Sequence, residues 1–426
     1  MRGNAVVIGR GVIGCAVALE LARDGWAVTA VDRTGAAGHG STSASSGVCR
    51  VHYSTRDGMA IAWEGTRAWR EAAAHLGAPG YAPLTETGCL VMAHEGNGHL
   101  ARQRALSDAL GIAWRWWDAE AIRAALPGYD LARFAPPKRP DDPGFGHPTG
   151  GTLAGGVFWP EAGYVADPMR AAQEVWAAAA RAGAVARRGA VAGVRADDRL
   201  RAVVLEDGAE LPADVAVNAA GPASGRINAL AGVTGDMGVT PRPLRQEVAH
   251  LPRPAGAVAG RGLVVSDGDI GVYMRPERDG LLLGSEEPPC DPMEWVEDAD
   301  AVDPAPGDPW DALALRYGQR MPALGIPRRR AGVVACYDAT EDFLPIYDRS
   351  ALPGFFMACG TSGNQFKCAL VAGRIMAVVV DHVDRGGDQD ADPAVVTLPR
   401  TGLEVSTGVF SRRRRPNPES SGTVLG

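Results

Sequence analysis

The stretch NAVVIGRGVIGCAVALELARDGWAVTAVDR, residues 4–33, constrains the fold more than any other part of the 426-residue chain. A short apolar run, Ala5–Ile8, meets Gly9-Arg10-Gly11-Val12-Ile13-Gly14, and helical periodicity then carries Val12 through Ala22. Arg23-Asp24-Gly25 ends that helix, and Ala27–Val31 reads as a second strand closing on Asp32. A glycine at position 9 makes a tight turn, Gly11 lets backbone approach a pyrophosphate, and Gly14 lets helix and strand pack closely. The phosphates then lie at the helix N-terminus, over the amides of Val12 and Ile13, while Asp32, next to Arg33, accepts a hydrogen bond from a ribose hydroxyl. A lone G-x-G-x-x-G also describes a merely tight-packed turn. Strand, helix, second strand and acid at this spacing predict a bound dinucleotide and an α/β, Rossmann-like fold.

Length and composition bound the rest. A chain this long predicts two domains or one large fold with an insertion. A net charge of -7 gives no electrostatic reason to expect nucleic acid as a partner. The seven cysteines form no C-x-x-C pair and no metal-ligand spacing, so no metal is expected and reduced thiols in a cytoplasmic protein are. No cleavable leader opens the sequence and no apolar run reaches the ~18 residues of a membrane span, so a protein without membrane partners is expected.

NAD and FAD share the first motif, so other segments must choose between them. The stretch GHGSTSASSGVCRVHYS, residues 38–54, offers small hydroxyl residues to a long ligand, although a flexible loop reads the same way. In ADVAVNAAGPASGRI, residues 213–227, an apolar strand again meets a small-residue turn and a helix start. Between them, residues 184–211 alternate apolar and polar through turns at Asp197-Asp198 and Asp207-Gly208, as a three-stranded meander does. CGTSGNQFKCALVAG, residues 359–373, gives another glycine turn before a helix, with Lys367 at its start. Four separated segments on one extended ligand fit FAD better than NAD. The expected contacts are Ser41, Thr42, Ser45, Ser46, Gly47, Val191, Ala220, Gly221, Gly360, Ser362, Gly363, Asn364, Gln365 and Lys367, besides those of the first motif.

Taken in order, GRGVIG, GSTSASSGVCRVHY, GYVADPMRAAQEVWAAAARAGA, VNAAGPAS, GVYMRPERDGLLLG and GTSGNQFK resemble the flavoprotein family of D-amino-acid oxidase, glycine oxidase and monomeric sarcosine oxidase over residues 4–384. The resemblance implies an FAD domain built from several pieces of chain and a substrate domain on a mostly antiparallel sheet, α+β overall. We assign residues 1–85, 151–235 and 328–385 to the first, 86–150 and 236–327 to the second, and 386–426 to a C-terminal extension. It also implies oxidation of the C–N bond of an amino acid or amine, with hydride passing to flavin N5. In sarcosine oxidases the segments similar to VCRVHY and SGNQFK carry an arginine and a lysine that grip the substrate carboxylate. Those positions are Arg50 and Lys367 here, whose plain alternatives are a salt bridge and a helix-surface lysine. Tyr273 falls where the family places a pocket tyrosine, and either His52 or Tyr53 is expected to face the flavin.

Three departures limit what carries over. Cys336 immediately precedes Tyr337, one residue off the spacing of sarcosine oxidases that attach flavin to cysteine, and Ala44 stands where dimethylglycine dehydrogenases use histidine; noncovalent FAD is expected. The lysine that helps sarcosine oxidases use oxygen would fall near Leu282, which leaves oxygen or another electron acceptor open. A 2-hydroxy-acid oxidase and a flavin-binding subunit of a multi-subunit oxidase also remain open. The end of the chain, SRRRRPNPESSGTVLG, reads as a mobile or docking tail.

Overall fold

The computed structural model describes residues 2–253, 262–278 and 280–425. Strand Asn4–Ile8 lies in a six-stranded sheet ordered 185–188, 27–32, 4–8, 215–218, 355–359 and 346–349, parallel except at the last pair. Because side chains alternate along a strand, each strand feeds two layers. Ala5 and Val7, Val28 and Ala30, Val215 and Val217 face the helices Val12–Arg23, Pro168–Arg181 and Ala369–Asp384. Val6, Ile8, Ala216, Phe355 and Met357 face the other way, against an apolar layer from Val191, Leu200, Val203 and Leu205. The covering meander is 191–196, 200–205 and 210–212. Val185–Arg188, expected within it, instead pairs parallel with Ala27–Asp32 at the edge of the main sheet.

A nine-stranded, mostly antiparallel sheet holds the second core. Strands Arg242–Pro252, Val272–Glu277 and Gly280–Ser285 form its middle, with Val264–Asp267 pairing parallel to Cys89–Met92. In sequence, Asp279-Gly280 reads as a turn between two strands, and Asp279 lies outside the described residues. Helix Asp308–Arg320 packs Trp310, Leu313, Ala314 and Tyr317 on one face of this sheet. At its end the fully buried Arg320 reaches Asp267 at 2.7 Å and Asp269 at 2.5 Å.

In sequence, residues 57–76 read as one helix with Ile61, Trp69 and Leu76 on it; the structure has two, Arg56–Arg70 and Ala72–Leu76, and Glu71 leaves the helical track between them, its carboxylate held by Arg400. Nor is the end of the chain a solvated tail. Residues 395–397 and 404–406 form a hairpin, and Arg412 is buried among Asp236, Asp348 and Asp390 at 2.6, 3.0 and 2.8 Å. In sequence the arginine run looks like part of a loose tail because its acidic partners lie up to 176 residues away. Among the described residues no helix is long and apolar enough to cross a membrane, and no His, Cys, Asp and Glu group could hold a metal ion.

Candidate active site

Gly9 and Gly14 set the geometry of the first turn. A β-carbon on Gly9, at φ +102°, would meet the Ala219 carbonyl at 2.4 Å, and one on Gly14 would meet the Gly9 carbonyl at 2.0 Å. Only glycine lets the helix start this close to the sheet. The turn opens on a cleft of about 610 Å³. Gly9, Gly11, Val12 and Ile13 form one end, with Asp32 and Arg33 beside them. Ser41, Thr42, Ser45 and Ser46 form a wall, and Ala220, Gly221, Gly363 and Gln365 close the far side.

The helix Val12–Arg23 has no side-chain cap and no acid in its first turn, so its first amides are open to an anion; Thr42 Oγ1 accepts only from the Val12 N–H, at 3.1 Å. Asp32 accepts from the Arg10 amide at 2.7 Å and from the Thr34 amide and hydroxyl at 2.7 and 2.6 Å. Arg33 is drawn across the mouth to Asp300. Length, positive helix end and hydroxyl wall together fit FAD.

Other expected contacts lie elsewhere. Val191 is buried in the apolar layer beneath the meander, because its strand packs on the sheet rather than reaching the ligand groove. Gly14, Gly47, Gly360 and Ser362 stand behind the cleft wall; the Ser362 hydroxyl donates to the Gly360 carbonyl and accepts from the Thr340 amide, holding the turn. Asn364 and Lys367 face a second cavity.

That cavity, of about 50 Å³, shares Ser45, Ser46, Tyr273, Gly363 and Phe366 with the cleft. Arg50 follows strand Val48–Cys49, Lys367 precedes helix Ala369–Asp384, and the two buried cations line it together. Both lie against the ring of Tyr53, whose centroid is 4.1 Å from the Arg50 guanidinium and 5.0 Å from Lys367 Nζ. Lys367 donates to the Asn364 carbonyl, which also accepts from the Tyr53 hydroxyl at 2.9 Å. Arg50 donates to the carbonyls of His52 and, at 2.8 Å, Val424. Neither cation forms a salt bridge among the described residues. Burial, with the Arg50 charge second, brings Lys367 down from 10.5 to about 7.

Tyr273 stands with its hydroxyl beside Ser46 and Tyr337, its pKa raised by burial. His52 lines neither cavity: it stacks on Trp159 with centroids 4.4 Å apart, and burial pushes its pKa well down. Tyr53 packs against the cations and lines neither cavity, so neither residue of the pair faces the cleft; the strand stops at Cys49, before either residue.

Several residues around the cavities escaped sequence reasoning. Ser266 lines the smaller cavity and donates to Glu286 at 2.5 Å, whose carboxyl is raised to about 7 by burial. Glu287, raised to about 8 by burial, accepts from Gln246 at 2.9 Å and from the Val424 amide at 2.7 Å. Only the adjacent pair of acids after an apolar strand hinted at them. Nothing in the sequence placed Val424 and Leu425 in the cavity wall.

Residues 4–378 match the family described as FAD dependent oxidoreductase, DAO. Among solved structures, L-proline dehydrogenase from P. horikoshii is similar at a TM-score of 0.75 and 19% identity, over 97% of each chain. Glycine oxidase from Geobacillus kaustophilus follows at 0.70 and 22%, over 91% of this chain and 97% of that one. Iminodiacetate oxidase from Chelativorans sp. BNC1 gives 0.69 and 21%, over 89% and 95%. No curated protein matches the chain.

Proposed function

The chain belongs to the FAD dependent oxidoreductase family, and from that premise we propose that it oxidises the C–N bond of a small amino acid or N-substituted amino acid whose carboxylate is held by Arg50 and Lys367. The observation that carries the reading is the pair of buried cations, without a salt bridge among the described residues, in a cavity that shares a wall with the FAD cleft. Two charges of one sign in so small a space call for an anion.

When bound, FAD supplies the hydride acceptor that such an oxidation requires. The chain's own residues do the rest by holding and excluding. Arg50 presents a planar fork of donors that fixes a carboxylate's orientation, and Lys367 adds charge without demanding geometry. Tyr273, lining both cavities, orients the substrate between them. Val48, Val264 and Phe366 shut water out, strengthening each polar contact. The N-terminus of Ala369–Asp384 and the amides of its preceding loop add positive potential beside the cleft. We take FAD to be noncovalent, since burial raises the Cys336 thiol and keeps it from the reactive thiolate form. Seven unpaired cysteines support a cytoplasmic location.

Arg50→Met tests the clamp. Losing a charge-assisted hydrogen bond of about 2 kcal/mol raises KM for the carboxylated amine about 30-fold while FAD stays bound. An unchanged KM rejects it. A dehydrogenase acceptor is favoured over oxygen by Leu282, apolar and buried where the family resemblance calls for a lysine. Turnover in air, compared with turnover on an artificial quinone without oxygen, decides between them.

A further inference from the structure

The wall of the smaller cavity is completed by Val424 and Leu425, from the segment that reads in the sequence as a loose tail. This segment has two halves. The first is fixed: Arg412 is buried among three aspartates, and Arg414 binds Asp342 at 2.9 Å. The second, from Asn417 onward, is mostly half-exposed or exposed, tied to the body by the Asn417 amide and the Ser420 hydroxyl, which donate to Asp342 at 3.1 and 2.5 Å, and by Glu419, 2.6 Å from Arg102, before Val424 becomes buried. There the Val424 carbonyl accepts from Arg50 at 2.8 Å and its amide donates to Glu287 at 2.7 Å.

The other terminal nitrogen of Arg50 is already given to the His52 carbonyl. With Val424 in place, both terminal nitrogens of the guanidinium already donate to chain carbonyls, so a carboxylate taking the same pair must compete with them. We propose that residues 417–425 form a latch that occupies the substrate's place on Arg50, so that an anion fills the cavity only as the latch leaves. The proposal rests on the carboxylate clamp above. A peptide carbonyl stands in for one carboxylate oxygen, at the cost of leaving Lys367 without an anion. A real carboxylate satisfies both cations, and so can displace the latch.

The test titrates acetate into FAD-loaded protein and follows the flavin's visible band. A chain ending at Pro416 binds acetate about tenfold more tightly than the full chain, since two hydrogen bonds no longer compete. Gly422→Val, in the full chain, is the second variant: Gly422 has φ +64° and no atom within 4 Å of an added β-carbon, so the change strains the latch backbone alone. It tightens acetate about fivefold. Synthetic peptide 417–426, added to the shortened chain, weakens acetate binding competitively. Tightening in either variant supports the latch. Equal or weaker binding in the variants, with Arg50→Met still weakening it about 30-fold, overturns the latch and leaves the clamp standing. Acetate binding left unweakened by Arg50→Met in the shortened chain overturns the clamp and the latch with it.

Discussion

Charge on Lys367 links anion binding to pH. Its ammonium is held at about 7, against an ordinary 10.5, by burial and by Arg50. That drop corresponds to about 5 kcal/mol of unfavourable charging. The folded chain therefore binds fewer protons than the unfolded chain between pH 7 and 10.5, and this lysine's penalty to stability, full below pH 7, is relieved as pH rises through that window. A bound carboxylate reverses the cause and restores the proton. Acetate affinity accordingly weakens as pH rises above 7, the slope approaching about tenfold for each pH unit and the loss reaching about 50-fold from pH 7 to 9, for one linked proton. Glu287, at about 8, and Glu286, at about 7, add in the same direction by becoming negative near the site. Lys367→Met removes the lysine's share and Glu287→Gln that acid's share. Acetate titrations of the flavin band from pH 6 to 9 measure all three proteins, acetate itself staying ionised throughout. A flat dissociation constant in the unaltered protein, or an unchanged slope in Lys367→Met, refutes the assignment.

Other perturbations read the rest of the structure. Gly14→Val drives a side chain into the Gly9 carbonyl, 2.0 Å from the β-carbon, so the variant purifies without the yellow of bound FAD. Arg320→Met leaves Asp267 and Asp269 buried and unpaired, lowering stability by about 3–5 kcal/mol in denaturant melts. Acid precipitation of the yellow protein releases all its flavin to the supernatant, whereas flavin retained in the pellet shows a covalent link.

The fold was legible where local chemistry and long-range packing agree. Residues 4–32 carry their own turn, helix periodicity and alternation, and the structure follows them within a residue or two. Arg50 and Lys367 lie 317 positions apart in sequence, and only resemblance to known flavoproteins put them together; no periodicity could. His52 was misplaced because strand alternation was extended past Cys49, where the strand ends. Val191 was misplaced for a related reason, since a strand covering the sheet and a strand reaching the ligand share one apolar pattern. The C-terminal segment misled most. A run of arginines with prolines looks solvated until the aspartates that bury it, at 236, 342, 348 and 390, are brought round by the fold.

The proposed clamp has Arg50 and Lys367 holding an anionic amine beside the flavin. Anaerobic mixing of the FAD-loaded protein with N-methylglycine, and separately with dimethylamine, which lacks the carboxylate, tests this most directly. Bleaching of the visible band by the carboxylated amine, at concentrations at least about 30-fold below those the other requires, is the predicted result. Equal bleaching by both amines, or none by the carboxylated one and by a wider set of amino acids, contradicts it.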